Sequence, residues 1–321
     1  MLNVIRSKKL DDPRLALSFV TIDRPVERGT LRALASAMRP WQWVKNGLII
    51  AAPAAAGTLF HANVARHTVI AVGCFCLVAS GLYLLNDLRD VDGDRKHPTK
   101  RFRAIASVQL SVPLARAAAV SLVAAGFLLP LTIPRPQSLY VVLGLYVAIT
   151  LAYIFWLRNV AVIELGAVAS GFFLRAIAGA AASHISVSSW FLVVVSFGAL
   201  FLVVGKRDGE LKQIGVGTTR KVLAQYTSSF LNSALTLCAT VVVTGYCLWA
   251  FDDSTNGLFK NHNAALPVRL SVIPVVFATL FVLRSVEAGN GAAPEDLVLH
   301  DRTVQVLIVL WVILMVVGVY K

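Results

Sequence analysis

Acidic side chains are scarce in this sequence, with 17 Asp and Glu against 30 Lys and Arg among 321 residues. Charged residues of either sign make up only 15% of the chain, where soluble globular proteins carry about 25%. An ordinary soluble domain is thereby excluded. Nucleic-acid binding is disfavoured as well, because the basic residues are spread among short stretches and form no continuous patch. Cysteine is nearly absent: Cys74, Cys76, Cys238 and Cys247 all lie inside apolar runs and show no metal-ligand spacing. That removes a zinc site and a disulfide framework. Residues 1–40 contain neither an apolar core nor a small-residue cleavage site, so no signal peptide is expected there. Residues 1–35 are expected to form a cytoplasmic N-terminal tail, with an interfacial helix from about Thr30 to Met38.

Hydrophobic residues, by contrast, make up 57% of the chain, and the mean hydropathy is +0.72. Taking apolar runs of about 17–25 residues as spans gives nine, at 43–60, 67–86, 113–131, 138–157, 160–182, 188–205, 229–251, 268–285 and 303–320. The expected fold is therefore an all-α polytopic membrane protein, with residues 36–321 forming a nine-helix membrane domain. The first span is the weakest, since Lys45 and Asn46 sit near its start and Pro53 near its middle. Lys and Arg gather in alternate loops: before the first span, after the second and after the sixth. By the positive-inside tendency the amino terminus and both charge-rich loops face the cytoplasm. Two distant polar segments can then build one site on that face.

The first of these segments is Asn86 to Ser107, NDLRDVDGDRKHPTKRFRAIAS, which comes directly after an apolar run. At about 100° per residue, Asp87, Asp90 and Asp94 share one face of a helical extension, while Asp92 points elsewhere. Three carboxylates converging without a cation would repel, and hard oxygen ligands of this kind suit Mg²⁺ held jointly with substrate phosphates. Lys100, Arg101 and Arg103 come next as cations for phosphate oxygens. The plainer alternative is a solvated loop whose charges only set topology. His97-Pro98 is expected to break the helical extension, which leaves His97 unsuited to act as a base.

The second segment is GKRDGELK, residues 205–212, with Lys206, Arg207 and Glu210 just past an apolar span. These either anchor the span by snorkelling or form a half-site opposite the aspartates. It loosely echoes the end of the second span, and paired segments of this kind mark substrate sites in repeat-built membrane folds. Lys45 and Asn46 fall at a depth from which they would reach a phosphorylated substrate at the membrane surface. Glu164 and Arg175 lie inside the fifth span, about 16 Å apart along the axis, so each needs another partner. Ionisable groups at such depth are functional candidates by default. Tyr153 and Arg158, at the end of the fourth span, read equally well as a belt tyrosine with a topology charge or as ligands. Asp252 to Gly257, DDSTNG, reads as a polar loop on the opposite face.

Asn86-Asp87-x-x-Asp90-x-x-x-Asp94 within a nine-span chain resembles the UbiA-type intramembrane prenyltransferase superfamily. Four segments narrow the resemblance to its decaprenyl-phosphate phosphoribosyltransferase branch: RPWQWVKN (39–46), YLLNDLRDVDGDRKHPTKRFRAIAS (83–107), FFLRAIAGAAA (172–182) and GKRDGELK (205–212). It runs from about residue 36 to the end. What it implies is Mg²⁺-dependent transfer of 5-phosphoribosyl from phosphoribosyl diphosphate to a polyprenyl (decaprenyl) phosphate, for a lipid-linked arabinose and cell-wall precursor. Under that resemblance Asp87, Asp90 and Asp94 hold Mg²⁺-diphosphate with Asn86 in support. Lys100, Arg101 and Arg103 grip donor phosphates, and Lys206, Arg207 and Glu210 close over the ribose 5-phosphate and hydroxyls. Lys45 and Asn46 hold a substrate phosphate, and Tyr153, Arg158 and Arg175 are further substrate-binding candidates. The implied partners are the two substrates and the membrane, with a homo-oligomer allowed and no nucleic acid. Two departures from the branch are Ala104, where proline is usual, and Asp208-Gly209 in the second segment. A conventional prenyltransferase joining a polyprenyl diphosphate to an aromatic acceptor is the nearest alternative, and a membrane transporter the second.

Overall fold

The computed structural model describes residues 29–212, 221–252, 262–288 and 301–320. Most of the expected N-terminal tail, residues 1–28, and residues 253–261, which hold most of DDSTNG, lie outside the described residues. The described chain is helical. A short helix α1 (Thr30–Ala37) leads into a 3-10 stretch (Pro40–Ile50) and α2 (Ala51–Ala55). Then come α3 (Ala62–Lys96), α4 (Val112–Leu128), α5 (Gln137–Phe155), α6 (Ile163–Ser183), α7 (Ser189–Lys212) and α8 (Ser228–Phe251). The last three are α9 (His262–Leu270), α10 (Val272–Glu287) and α11 (Arg302–Tyr320). α1 covers nearly the same residues as the helix expected from about Thr30 to Met38.

Eight helical stretches among the described residues are long and apolar enough to cross a membrane. The chain is a multi-pass membrane protein. The count departs from nine because the span expected at 43–60 is not a regular helix. It is the 3-10 stretch Pro40–Ile50 joined to the five-residue α2. Hydropathy does not distinguish such a segment from an α-helix, and Pro53 disfavours a longer α2 by withholding a backbone donor.

At about 1.5 Å per residue the 35-residue α3 is about 52 Å long, against about 30 Å of bilayer hydrocarbon. Its excess is the polar segment from Asn86 onward. It stops where Pro98 forces His97 into the extended region, with ψ 138°. α8 starts at Thr227, whose side chain accepts from the Phe230 amide at 3.2 Å and satisfies one of the helix's orphan donors.

Gly179 of α6 lets the 3-10 stretch lie directly on that helix: a Cβ there would collide with the Ile49 carbonyl and the Pro53 ring. Close backbone approach through small residues is the usual packing device where lipid supplies no hydrophobic drive between helices. The contact also sets Asn46 against Arg175, one turn from Gly179. A Gly179→Val variant is therefore expected to lose about 1–3 kcal/mol of stability and to unseat Asn46. The thermal midpoint in detergent, compared with wild type, checks this.

Candidate active site

The C-terminal ends of α3, α5 and α7 meet the N-terminal ends of α6 and α8 at one end of the bundle. Arg89 of α3 donates to the Phe155 carbonyl at the end of α5, at 3.1 Å. Lys212 at the end of α7 donates to the Val286 and Glu287 carbonyls that close α10, at 3.2 and 3.0 Å. Arg158 and Glu164, on either side of the short connection from α5 to α6, bond Asp90 of α3 and Arg207 of α7, so both charge-rich segments lie at the same end.

Three arginines from three elements close on the aspartates. Arg39, held at φ 54° between α1 and Pro40, donates to Asp87 Oδ1 at 2.5 Å. Arg103, beyond the helix end, places one nitrogen 3.2 Å from Asp87 Oδ1 and 2.8 Å from Asp94 Oδ2. Arg158, just past α5, donates to both oxygens of Asp90 at 2.8 and 3.0 Å. Asp87 is only 4% exposed, whereas the Asp92 side chain is 88% exposed beside Arg95. The helical phase read from the sequence is observed. Lys100 adds its charge near Asp94, while Arg101 is exposed and stacks on Phe102 at 4.8 Å. Asn86 is half-buried, about 100° round the helix from Asp87.

The inner face of α3 stays polar below the aspartates. Arg39 lies over the Tyr83 ring at 5.3 Å, and Ser80 accepts from the Trp43 indole at 3.1 Å. Deeper still, Asn46 donates to Cys76 at 3.2 Å and accepts from Arg175 at 2.8 Å. Arg175 also donates to the Tyr146 hydroxyl at 2.8 Å and the Gly171 carbonyl at 2.6 Å. These neutral partners, with the Tyr146 ring at 4.7 Å, satisfy the guanidinium about 18 Å along α6 from its start. Lys45 sits over the Phe172 ring at 5.8 Å.

The second charged segment is organised differently. Arg207 donates from Nε and Nη2 to the two oxygens of Glu164 at 2.6 and 2.7 Å, and from Nη1 to Glu210 at 2.7 Å. The partner that Glu164 needed is thus Arg207. Tyr226, in the 3-10 turn region before α8, donates to Glu164 at 3.3 Å and accepts from the Val162 amide at 2.8 Å. Burial pushes the Tyr226 hydroxyl above its ordinary pKa, with a further upward push from Glu164. It therefore stays protonated and able to donate near neutral pH. Tyr153, near the end of α5, is within electrostatic range of Arg207. Lys206, next to Arg207 in the chain, is half-buried.

Asp208, the departure from the resembled branch, turns away from the aspartates. It is fully buried, and its ion pair is with Lys212 at 2.7 Å. Asp208 Oδ1 finds no hydrogen-bond partner among the described residues. Glu164, a candidate from the sequence as an ionisable group inside a span, joins the site, and so do Arg39, Tyr146 and Tyr226, which the sequence does not assign a role.

Among the described residues no group of three or more His, Cys, Asp or Glu is gathered closely enough to hold a metal. The donor chemistry nevertheless fits Mg²⁺. Arg103 already places one positive nitrogen within hydrogen-bonding distance of both Asp87 and Asp94, so two hard carboxylates converge on a cation. One or two carboxylates plus substrate phosphates is the usual protein share of a Mg²⁺ shell.

The described residues form a bundle of membrane-length helices with carboxylates and guanidiniums gathered at one end. The UbiA prenyltransferase family model matches residues 47–296, and the chain belongs to that family. It is 41% identical over 291 residues to the decaprenyl-phosphate phosphoribosyltransferase of Corynebacterium glutamicum, covering 89% of this chain and 86% of that protein. The enzyme of the same name from Mycobacterium tuberculosis is 41% identical over 292 residues, covering 87% of this chain and 91% of its own. The fold is similar to a digeranylgeranylglyceryl phosphate synthase (TM-score 0.64, 13% identity, 91% of this chain and 99% of that one). It is also similar to a UbiA homolog from Archaeoglobus fulgidus solved with DMAPP and Mg²⁺ bound (TM-score 0.62, 15% identity, 89% and 98%).

Proposed function

We propose that this chain transfers a 5-phosphoribosyl group from phosphoribosyl diphosphate to a polyprenyl (decaprenyl) phosphate, releasing diphosphate, with Mg²⁺ as cofactor. The observation that carries this reading is the arginine-clasped aspartate cluster of α3, in a chain 41% identical over 89% of its length to an enzyme named for that acceptor and group. Residues 36–321 form the catalytic unit. The excess of Lys and Arg at the aspartate end supports a cytoplasmic amino terminus and a cytoplasmic site.

Asp87, Asp90 and Asp94, with Asn86 in support, would hold Mg²⁺ against the donor diphosphate. When bound, Mg²⁺ supplies Lewis-acid stabilisation of the charge developing on the departing oxygens. Arg39, Arg103 and Arg158 neutralise the aspartates in this structure and stand ready to turn to donor phosphates, with Lys100 and Arg101 at the rim. Lys206 and Glu210 face the ribose 5-phosphate and hydroxyls, with Arg207 bonded between Glu164 and Glu210. Lys45, Asn46 and Arg175 lie inward, toward the acceptor, and Tyr153 is a further substrate-binding residue near Arg207.

In the reaction an acceptor phosphate oxygen bonds to the anomeric carbon. The bond from that carbon to the diphosphate oxygen breaks, and its electron pair leaves with the diphosphate. A phosphate monoester loses its second proton with a pKa of about 6, so the acceptor is a competent nucleophile at neutral pH and needs no strong general base.

The test uses purified protein in detergent with both substrates. Diphosphate release is expected only when phosphoribosyl diphosphate, polyprenyl phosphate and Mg²⁺ are all present, with loss on chelation and recovery on adding Mg²⁺. Release that ignores the lipid phosphate would contradict the proposed acceptor.

A further inference from the structure

The Glu164–Arg207–Glu210 chain runs from a closed end to a more exposed one. Glu164 is fully buried, Arg207 is 3% exposed and Glu210 is 19% exposed at the side chain. The two bonds from Glu164 occupy the Nε and Nη2 edge of the guanidinium, and a planar guanidinium gripped along one edge has its third nitrogen aimed in a fixed direction. That nitrogen donates to Glu210, the most exposed of the three.

The closed end is itself held from a third element. Tyr226 donates to Glu164 and accepts from the amide of Val162, a β-branched residue at φ 66°. Such a backbone is disfavoured for valine and persists only where neighbours over-determine it. An apolar contact would tie α6, α7 and the turn before α8 together without desolvating two charged groups. What the charged arrangement adds is direction.

We propose that Glu164 and Tyr226 are positioning residues for the transfer, acting through Arg207 to fix the Glu210 carboxylate against the ribose hydroxyls of the donor. This rests on the phosphoribosyl-transfer reading above. Glu210 is then the group of the second half-site that touches substrate, and the Arg207 charge is spent on holding it. The ligand it recognises is a vicinal diol of a phosphorylated pentose, so the half-site selects the donor and leaves the lipid acceptor to other residues.

Full-length protein in detergent would be assayed for the KM of each substrate, kcat and thermal midpoint in wild type, Glu164→Gln, Glu164→Asp, Tyr226→Phe and Glu210→Gln. The expected result for Glu164→Gln is an increase of about tenfold in the donor KM, the scale typical of supporting partners, with the acceptor KM unchanged and Glu164→Asp partly restoring it. Combining Glu164→Gln with Glu210→Gln should be no worse than Glu210→Gln alone, because one acts through the other. Tyr226→Phe removes a single oxygen and carries the test should Glu164→Gln fail to fold; it too should raise only the donor KM. A lowered thermal midpoint with an unchanged donor KM, or effects that multiply in the double variant, would overturn the positioning role while the transfer reading stands. A wild type inert toward phosphoribosyl diphosphate would instead remove the reading and the inference with it.

Discussion

Replacing Asp87 with alanine is expected to lower turnover by about 10²–10³-fold or more, the scale seen when a preorganised electrostatic group is removed at a reacting centre. Asp87 is buried and takes hydrogen bonds from both Arg39 and Arg103. Its loss would remove one of the two carboxylates that converge on the Arg103 cation. It would also remove the carboxylate that Arg39 bonds and leave Arg103 with Asp94 alone, a net positive change of one charge in a partly closed site. Donor phosphates would still be attracted, so the donor KM is expected to move less than kcat. Asp92→Ala serves as the control, since that carboxylate faces outward and should leave turnover within about twofold, as for most surface changes. Equal losses in the two variants would mean that the helical phase of α3 does not sort functional from topological charge.

Arg207→Ala should produce the largest loss of stability, about 3–5 kcal/mol, because it strands the fully buried Glu164 without its cation. The Tyr226 hydroxyl at 3.3 Å is a neutral partner and does not replace a bidentate guanidinium. Replacing both members with similarly sized apolar residues, Glu164→Leu with Arg207→Met, is expected to restore most of the thermal midpoint, since no buried charge remains. Activity should not return with it, because Glu210 would lose the group that orients it. Recovery of both properties in the double variant would reduce the network to a structural tie.

The sequence is most informative where the physics is local. The helical phase of Asp87, Asp90 and Asp94 comes from residue spacing alone, and so does the outward turn of Asp92. The break at His97-Pro98 comes from the restriction that proline places on the residue before it. Arg39 shows the limit: it sits in a conspicuous cluster before the first span, but its partner Asp87 lies 48 residues on, and no periodicity connects them. Glu164 and Arg207 are 43 residues apart and read in the sequence as two separate charges, one inside a span and in need of a partner, the other either a snorkelling anchor or part of a half-site. Their pairing depends on how α6 crosses α7. The first expected span is a 3-10 stretch followed by a short α-helix; hydropathy reports polarity and not helix type, so a 3-10 stretch lying over Gly179 looks like any apolar run. Asp208 is open to a reading as a metal ligand, since spacing alone does not decide which side of α7 faces the site.

The measurement that bears most directly on the central claim tracks the fate of each part of the donor. Purified protein in liposomes would receive polyprenyl phosphate, Mg²⁺ and phosphoribosyl diphosphate labelled either in the ribose or in the terminal phosphate. Phosphoribosyl transfer predicts that the ribose label becomes lipid-soluble while the terminal phosphate label leaves as free diphosphate, and the lipid gains the mass of one phosphoribosyl group. If neither label reaches the lipid, and the same protein instead joins a polyprenyl diphosphate to an aromatic acid, the fold would stand and the proposed reaction would be wrong.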